Sequence, residues 1–255
     1  NRQVHVVPQL IASTPDQFRS IVRLFQENGY READINLGCP FPMQVRAHRG
    51  SGLLRYKEEA ESLLRTIEEF PDISFSVKMR LGWECADESF VLLSLLNKLP
   101  LKHITLHPRL GIQQYKGAID WDGFSRFYEE CKLPLYYNGD LVGLEDIRGI
   151  KERFPGLAGL MLGRGLLASP WLATEFVSGQ VLTVNERRDK LVMFHESLMD
   201  EYAARLEGGE HQVLSKMKTI WDYLLPEADK RLRKKVLKST SLTSYQSAVK
   251  DLLSL

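Results

Sequence analysis

The 255-residue chain has few cysteines, no long apolar run and almost no net charge. Cys39, Cys85 and Cys131 stand far apart with no CxxC pair, which argues against a disulfide framework or a zinc knuckle. No apolar stretch approaches the roughly 18 residues that a membrane-spanning helix needs, and no secretory pattern opens the sequence. A soluble, cytoplasmic protein is expected. With 34 Lys+Arg against 33 Asp+Glu the net charge is +1, which excludes a basic-tail protein but leaves room for a local basic patch. No pair of histidines or carboxylates has metal-ligand spacing, so no metal is expected. No GxGxxG follows a strand, so a dedicated dinucleotide domain is not expected either.

What remains is ordinary globular composition, 44% hydrophobic and 26% charged. The chain begins at Asn1 and enters an apolar strand pattern at once, as the visible part of a longer protein would.

Strands and helices alternate along the first 180 residues. Val4–Ala12 reads as a strand, and Thr14 with Pro15 and Gln17 starts a helix that Gly29 ends. The unit recurs with strands over Ala33–Cys39, Ile73–Leu81, His103–Arg109, Leu133–Asp140 and Ala158–Gly165. The helices between and after them are predicted over Ser51–Phe70, Asp87–Leu99, Trp121–Lys132, Leu144–Phe154 and Leu166–Phe176.

Six such units predict a parallel α/β sheet, either doubly wound or a (β/α)8 TIM barrel. Gln9, Asn36, Cys39, Lys78, Arg80, His107, Arg109, Asn138 and Asp140 all fall at or near C-terminal strand ends. Only a barrel brings those ends to one mouth, so the barrel is preferred. The last two strands end in Asn138-Gly139-Asp140 and Gly163-Arg164-Gly165, turns suited to phosphate after strands seven and eight. The visible strands are then three to eight, with the first two missing.

From Val181 onward only helices are predicted, over Glu186–Leu206, His211–Leu225 and Asp229–Leu255. The expected division is a barrel domain over 1–180 and a helical domain over 181–255. Between Gln212 and Lys250 nine Lys/Arg face three Asp/Glu, with Lys230, Arg231, Arg233, Lys234, Lys235 and Lys238 bunched. Such a run either solvates a helix face or binds phosphates.

At the mouth, Cys39 could donate a proton, attack as a nucleophile, or be a buried structural thiol. Lys78, among apolar strand neighbours, needs an anion, a Schiff-base partner or an electron-rich cofactor. His107 could hydrogen-bond a cofactor or satisfy a carbonyl, whereas His103, at the strand's entry end, is expected to be structural. Gly163-Arg164-Gly165 before a helix suits an anion.

Several strings occur together in a telling order: Asp34-Ile35-Asn36-Leu37-Gly38-Cys39-Pro40, Gly50-Ser51-Gly52-Leu53-Leu54, Val77-Lys78-Met79-Arg80-Leu81-Gly82-Trp83, and His107-Pro108-Arg109 with Tyr115-Lys116-Gly117. Asn138-Gly139-Asp140 and Met161-Leu162-Gly163-Arg164-Gly165 with Pro170-Trp171 complete the series. The chain thereby resembles the tRNA-dihydrouridine synthase family over nearly its whole length.

The resemblance implies an FMN-containing barrel and a helical domain that grips tRNA. It also implies reduction of the C5–C6 bond of uridine, flipped out of folded tRNA, with NADPH or NADH as a transient reductant. By similarity Gln9, Lys78 and His107 contact FMN, while Asn138, Gly139, Asp140, Gly163 and Arg164 hold its phosphate. Cys39 is the proton donor. Asn36, Arg80 and Arg109 line the uridine pocket or approach the RNA backbone, and the basic helices, Lys234 and Lys235 included, bind tRNA phosphates. A monomer is expected. The sequence departs from the family in lacking an opening strand with an Ala-Pro-Met string, and in Pro108, where many members carry Gly or Ala.

Competing readings are a flavin barrel that oxidises a free pyrimidine such as dihydroorotate, an inactive tRNA-binding homologue, and an aldolase-type barrel with a Lys78 Schiff base. The basic helices weigh against the first, and the joint presence of Cys39 and Lys78 weighs against the second. The third leaves Cys39 and the helices unexplained.

Overall fold

A computed structural model of the chain describes residues 4–253. Six parallel strands form one sheet: β1 (Gln9–Leu10), β2 (Glu32–Leu37), β3 (Ser74–Gly82), β4 (Leu101–Leu110), β5 (Leu135–Tyr137) and β6 (Gly159–Leu160). Their spatial order is their chain order, each strand pairing with the next. A doubly wound sheet would reverse direction at a switch point, so this singly wound order is the barrel arrangement, with six of its strands among the described residues.

Alternation along the strands explains why they hold. Ala33, Ile35 and Leu37 of β2, Phe75, Val77, Met79 and Leu81 of β3, and Ile104 and Leu106 of β4 are almost completely buried on one face. Burying each of the larger side chains contributes about 1.5–3 kcal/mol. The opposite face carries Asp34, Asn36, Ser76, Lys78, Arg80, Thr105, His107 and Arg109. That polar face is the inner one.

The helices that follow the strands are α1 (Pro15–Glu27), α2 (Pro42–Arg46), α3 (Lys57–Arg65), α4 (Asp87–Leu96), α5 (Trp121–Glu130) and α6 (Leu144–Arg153). Thr14 caps α1, its hydroxyl accepting the Gln17 N–H at 3.3 Å, and Gly29 ends the segment at φ +81°. Asp120 caps α5 through the Gly123 N–H at 2.8 Å. The helix predicted from Asp87 begins there, after Ala86, as α4.

Several predicted elements are shorter or divided. The strand expected over Val4–Ala12 is reduced to Gln9–Leu10, and those over Leu133–Asp140 and Ala158–Gly165 to three and two residues. The single helix expected over Ser51–Phe70 is a 3-10 turn at Gly50–Arg55, then α3, then a second 3-10 turn at Thr66–Glu69. Leu166–Phe176 divides at Pro170 into α7 (Arg164–Ala168) and α8 (Leu172–Ser178), because proline cannot continue a helix.

The last helices are α9 (Val184–Arg205), α10 (Gly209–Thr219), α11 (Lys230–Lys238) and α12 (Leu242–Leu253). Thr183 and Glu186 form a reciprocal capping box at the start of α9. The helix expected over Asp229–Leu255 breaks around Ser239, and its last two residues lie outside the described range.

The chain separates into two compact units, residues 1–139 with 153–161, and residues 140–152 with 162–255. The expected boundary at 180/181 lies within the second unit. That unit has its own core of Leu191, Leu214, Met217, Trp221, Val236 and Tyr245 with their neighbours. At its centre the Tyr245 hydroxyl meets His195 Nε2 at 2.8 Å and accepts the Trp221 Nε1–H at 2.9 Å.

Candidate active site

Cys39 follows β2 and is fixed by its backbone. The Asn36 side chain turns back on the chain, its Oδ1 accepting the N–H of Gly38 at 3.0 Å and of Cys39 at 2.9 Å. On the other side the Cys39 carbonyl accepts both the N–H and the hydroxyl of Ser51, each at 3.0 Å. Gly50 closes this clamp at φ +57°, where a Cβ would stand 2.6 Å from the Cys39 oxygen. The cysteine is half-buried and free, and its Sγ has no hydrogen bond among the described residues.

Lys78 lies on the inner face of β3, opposite Asn36 on β2 and Thr105 on β4. It is half-buried and has no hydrogen bond or ion pair among the described residues. Burial, then the nearby Arg80 charge, pulls its ammonium below the usual lysine range, with Asp34 and Cys39 opposing the shift.

Arg80 and Arg109 are buried, and their guanidiniums act as straps. Arg80 donates from Nε to Gly38 O at 3.0 Å and from Nη1 to Leu110 O at 2.9 Å, tying the Cys39 loop to the end of β4. Arg109 donates to Gly117 O from Nε and Nη2, and its Nη1 lies 3.4 Å from Nε2 of the buried His107. Both therefore line the mouth rather than reach outward.

Gln9 is the first residue of the two-residue β1 rather than its C-terminal end, with its amide between Asp34, 2.6 Å from Nε2, and Asn36, 2.8 Å from Oε1. Asn138 donates to Met161 O at 2.9 Å, joining the ends of β5 and β6. Gly139 lies against His107, with an added Cβ falling 3.4 Å from Cδ2 of its ring. His103 stacks on Tyr136 at 4.3 Å, and burial pulls its pKa down, in keeping with a structural group.

The first unit thus brings together Gln9, Asn36, Cys39, Lys78, Arg80, His107, Arg109, Asn138 and Gly139. Asp140, Gly163 and Arg164 belong to the second unit. There Arg164 Nη2 lies 3.9 Å from Asp140 Oδ1, and Asp140 adopts φ +43°. Because α7 has only five residues, an anion at this turn would depend on Arg164 and the local N–H groups more than on a helix dipole.

On α11, Lys230, Arg231, Lys234 and Lys238 are exposed and have no ion pair among the described residues. Lys235 is drawn to Asp251 at 2.6 Å, and Arg233 turns inward to the carbonyls of Trp221, Leu225 and Pro226. The sequence points to no role for Asp34, Ser76 or Ser51, since nothing in their local pattern shows that they bond to residues 12 or more positions away.

A singly wound barrel sheet with a free thiol, a lysine without hydrogen bond or ion pair among the described residues and a polar inner face defines a protein of the (β/α) barrel class. Comparison with known proteins narrows the class: the chain belongs to the dihydrouridine synthase (Dus) family, whose model matches residues 1–253. It is 26% identical over 202 residues to a probable tRNA-dihydrouridine synthase of Rickettsia prowazekii (strain Madrid E), covering 76% of this chain and 62% of that protein. It is 28% identical over 181 residues to tRNA-dihydrouridine synthase B of Klebsiella pneumoniae, covering 68% and 56%. The chain spans about three fifths of the length of the curated relatives it matches. Among solved structures, morphinone reductase aligns over 66% of this chain and 49% of its own at 14% identity, with a TM-score of 0.48. A likeness at that level has no bearing on fold or activity. Among the described residues no helix is long and apolar enough to cross a membrane.

Proposed function

We propose that the protein reduces the C5–C6 double bond of uridine in tRNA to 5,6-dihydrouridine, with FMN as flavin and NADPH or NADH as reductant. The observation that carries this reading is the half-buried thiol of Cys39, clamped from both sides of its backbone in the loop after β2 and near enough to the unpaired Lys78 for the two to interact electrostatically. The residues fit a flavin, because a partly desolvated cation without a partner suits an electron-rich ring. When bound, FMN would supply hydride chemistry, with the nicotinamide nucleotide as the source and uracil C6 as the acceptor.

The chain's own groups do the rest. Cys39 Sγ gives its proton to C5 and regains one from solvent. Lys78 would offer positive charge to the bound flavin. Gln9 retains one amide N–H for the flavin edge, and His107 is held for the same purpose by Arg109. Asn138 and Gly139 would serve the flavin phosphate. Asn36, Arg80 and Arg109 shape the uridine pocket. Residues 1–180 carry the chemistry, and residues 181–255 hold tRNA through exposed cations on α11, with Lys234 more available than Lys235.

The test is single-turnover flavin reoxidation. The flavin is reduced without oxygen, tRNA lacking dihydrouridine is added, and oxidised-flavin absorbance is followed. Reoxidation by tRNA and not by free uridine or orotate is expected. Cys39→Ala should keep flavin and tRNA binding and lose at least ~10²-fold in rate. A response only to a small pyrimidine, or near-wild-type product formation by Cys39→Ala, would overturn the reading.

A further inference from the structure

A chain of hydrogen bonds on the inner face leads from a carboxylate that the reaction does not use to the backbone of Cys39. Asp34 lies on β2, between Gln9 of β1 and Ser76 of β3 in register. Its Oδ1 accepts the Ser76 hydroxyl and its Oδ2 accepts Gln9 Nε2, both at 2.6 Å. A carboxylate can only accept, whereas an amide has one donating and one accepting end. With Nε2 committed to Asp34, Gln9 must turn Oε1 towards Asn36, where it accepts the Nδ2–H at 2.8 Å. Asn36 is then left with Oδ1 facing the N–H groups of Gly38 and Cys39.

The opposite setting fails at both ends. Reversing Gln9 puts an acceptor against the carboxylate. Reversing Asn36 puts an NH₂ group against two N–H donors and leaves both of them without a partner. The orientation of each amide is therefore inherited from the one before it, and the first is set by Asp34.

We propose that Asp34 is a positioning residue for Cys39: it fixes the polarity of the Gln9–Asn36 relay whose last oxygen holds the Gly38 and Cys39 backbone. Its catalytic consequence rests on the reading of Cys39 as proton donor to C5, whereas its structural content does not.

The experiment follows backbone amide exchange at Gly38 and Cys39 in the flavin-loaded protein, with the strand amides of Ile35 and Val77 as internal references. In Asp34→Ala the first two amides should exchange about fivefold faster, the factor that one hydrogen bond of ordinary net strength represents. The strand amides should hold their wild-type rates, and reoxidation by tRNA should slow. Asp34→Asn should rescue slow exchange, because its carboxamide oxygen can still accept from Gln9 while its NH₂ faces a Ser76 hydroxyl that can turn to accept.

Unchanged exchange at Gly38 and Cys39 in Asp34→Ala overturns the proposal, as does equal acceleration of all four amides, which would mark a purely structural residue. Should Asp34→Ala not fold, Gln9→Met breaks the relay one link further on. It must speed the same two amides, and if it does not, the proposal falls. A wild-type protein inert towards tRNA would sink the proposed reaction and leave the exchange result standing.

Discussion

Replacing Gly50 by alanine drives a methyl group into the carbonyl that Gly50 lies behind. The new Cβ would stand 2.6 Å from Cys39 O and 2.9 Å from Cys39 Cβ, both too close to persist. Neither atom is the tip of a flexible side chain, so the backbone at Cys39 must move by at least a few tenths of an ångström. The residue also sits at φ +57°, which costs an L-residue roughly 1–2 kcal/mol. Moving the carbonyl puts at risk its two bonds from Ser51, at about 0.5–1.5 kcal/mol each. Together these give a destabilisation of about 2–5 kcal/mol. Catalysis should suffer separately, since displacing a reacting group by about 1 Å can cost ~10²-fold. Urea unfolding reads the first effect, and stopped-flow reoxidation by tRNA of the variant that remains folded reads the second. Gly149→Ala in α6, where an added Cβ meets nothing within 4 Å, is the control and should stabilise by about 0.5–1 kcal/mol. If Gly50→Ala keeps both wild-type stability and wild-type turnover, the clamp around Cys39 is not what places the thiol.

Changing Lys230, Lys234 and Lys238 together to Glu should raise the tRNA dissociation constant at low salt without altering flavin reduction by NADPH. The slope of log affinity against log salt should fall by about 0.7–0.9 for each phosphate that is no longer neutralised, and an unchanged slope would leave these lysines as a solvated face. Lys235→Ala should have the smaller effect, because that ammonium is already drawn to Asp251. His195 provides a pH test of the second unit. Burial pulls its pKa below 6.5, so the folded state binds fewer protons than the unfolded state as pH falls below that value. The stability from the neutral imidazole is complete above about pH 6.5 and is lost as pH falls through the folded pKa. The urea midpoint should therefore drop on acidification more in the wild type than in His195→Leu, and a difference that is the same at pH 7.5 and 5.5 would refute this.

Most of the fold was legible because the strands are written in alternation. Phe75, Val77, Met79 and Leu81 on one face of β3 and Ser76, Lys78 and Arg80 on the other state the period and the two environments at once. Element ends were harder to read. The apolar residues Leu53, Leu54, Leu63 and Leu64 suit one helix, yet Gly50 and Ser51 are held by the Cys39 loop, and the chain leaves the helical path at Tyr56. The basic run on α11 is plain in the sequence. Which of its cations remain available is not, because Asp251 lies 16 residues beyond Lys235 and the carbonyls that take Arg233 lie in an earlier turn.

The site was legible as far as single residues with unusual chemistry could carry it. Cys39 and Lys78 stand out because a barrel interior built only for stability is filled by branched apolar side chains. Asp34 does not stand out, since one short acidic residue in an alternating strand looks like any solvated position. Its role exists only in the register that sets Gln9 opposite it, 25 residues earlier, and Ser76 opposite it, 42 residues later. The same register separates the two kinds of polar residue at the mouth. Asp34, Gln9, Asn36, Ser51, Arg80 and Arg109 bond to one another or to backbone, and so build walls. Lys78 Nζ and Cys39 Sγ have no hydrogen bond or ion pair among the described residues. Desolvating polar groups without partners opposes folding, so a site that leaves these two unpaired gains nothing in stability from them. What they offer is a cation and a proton donor near enough to interact electrostatically, the two groups that the proposed reduction requires.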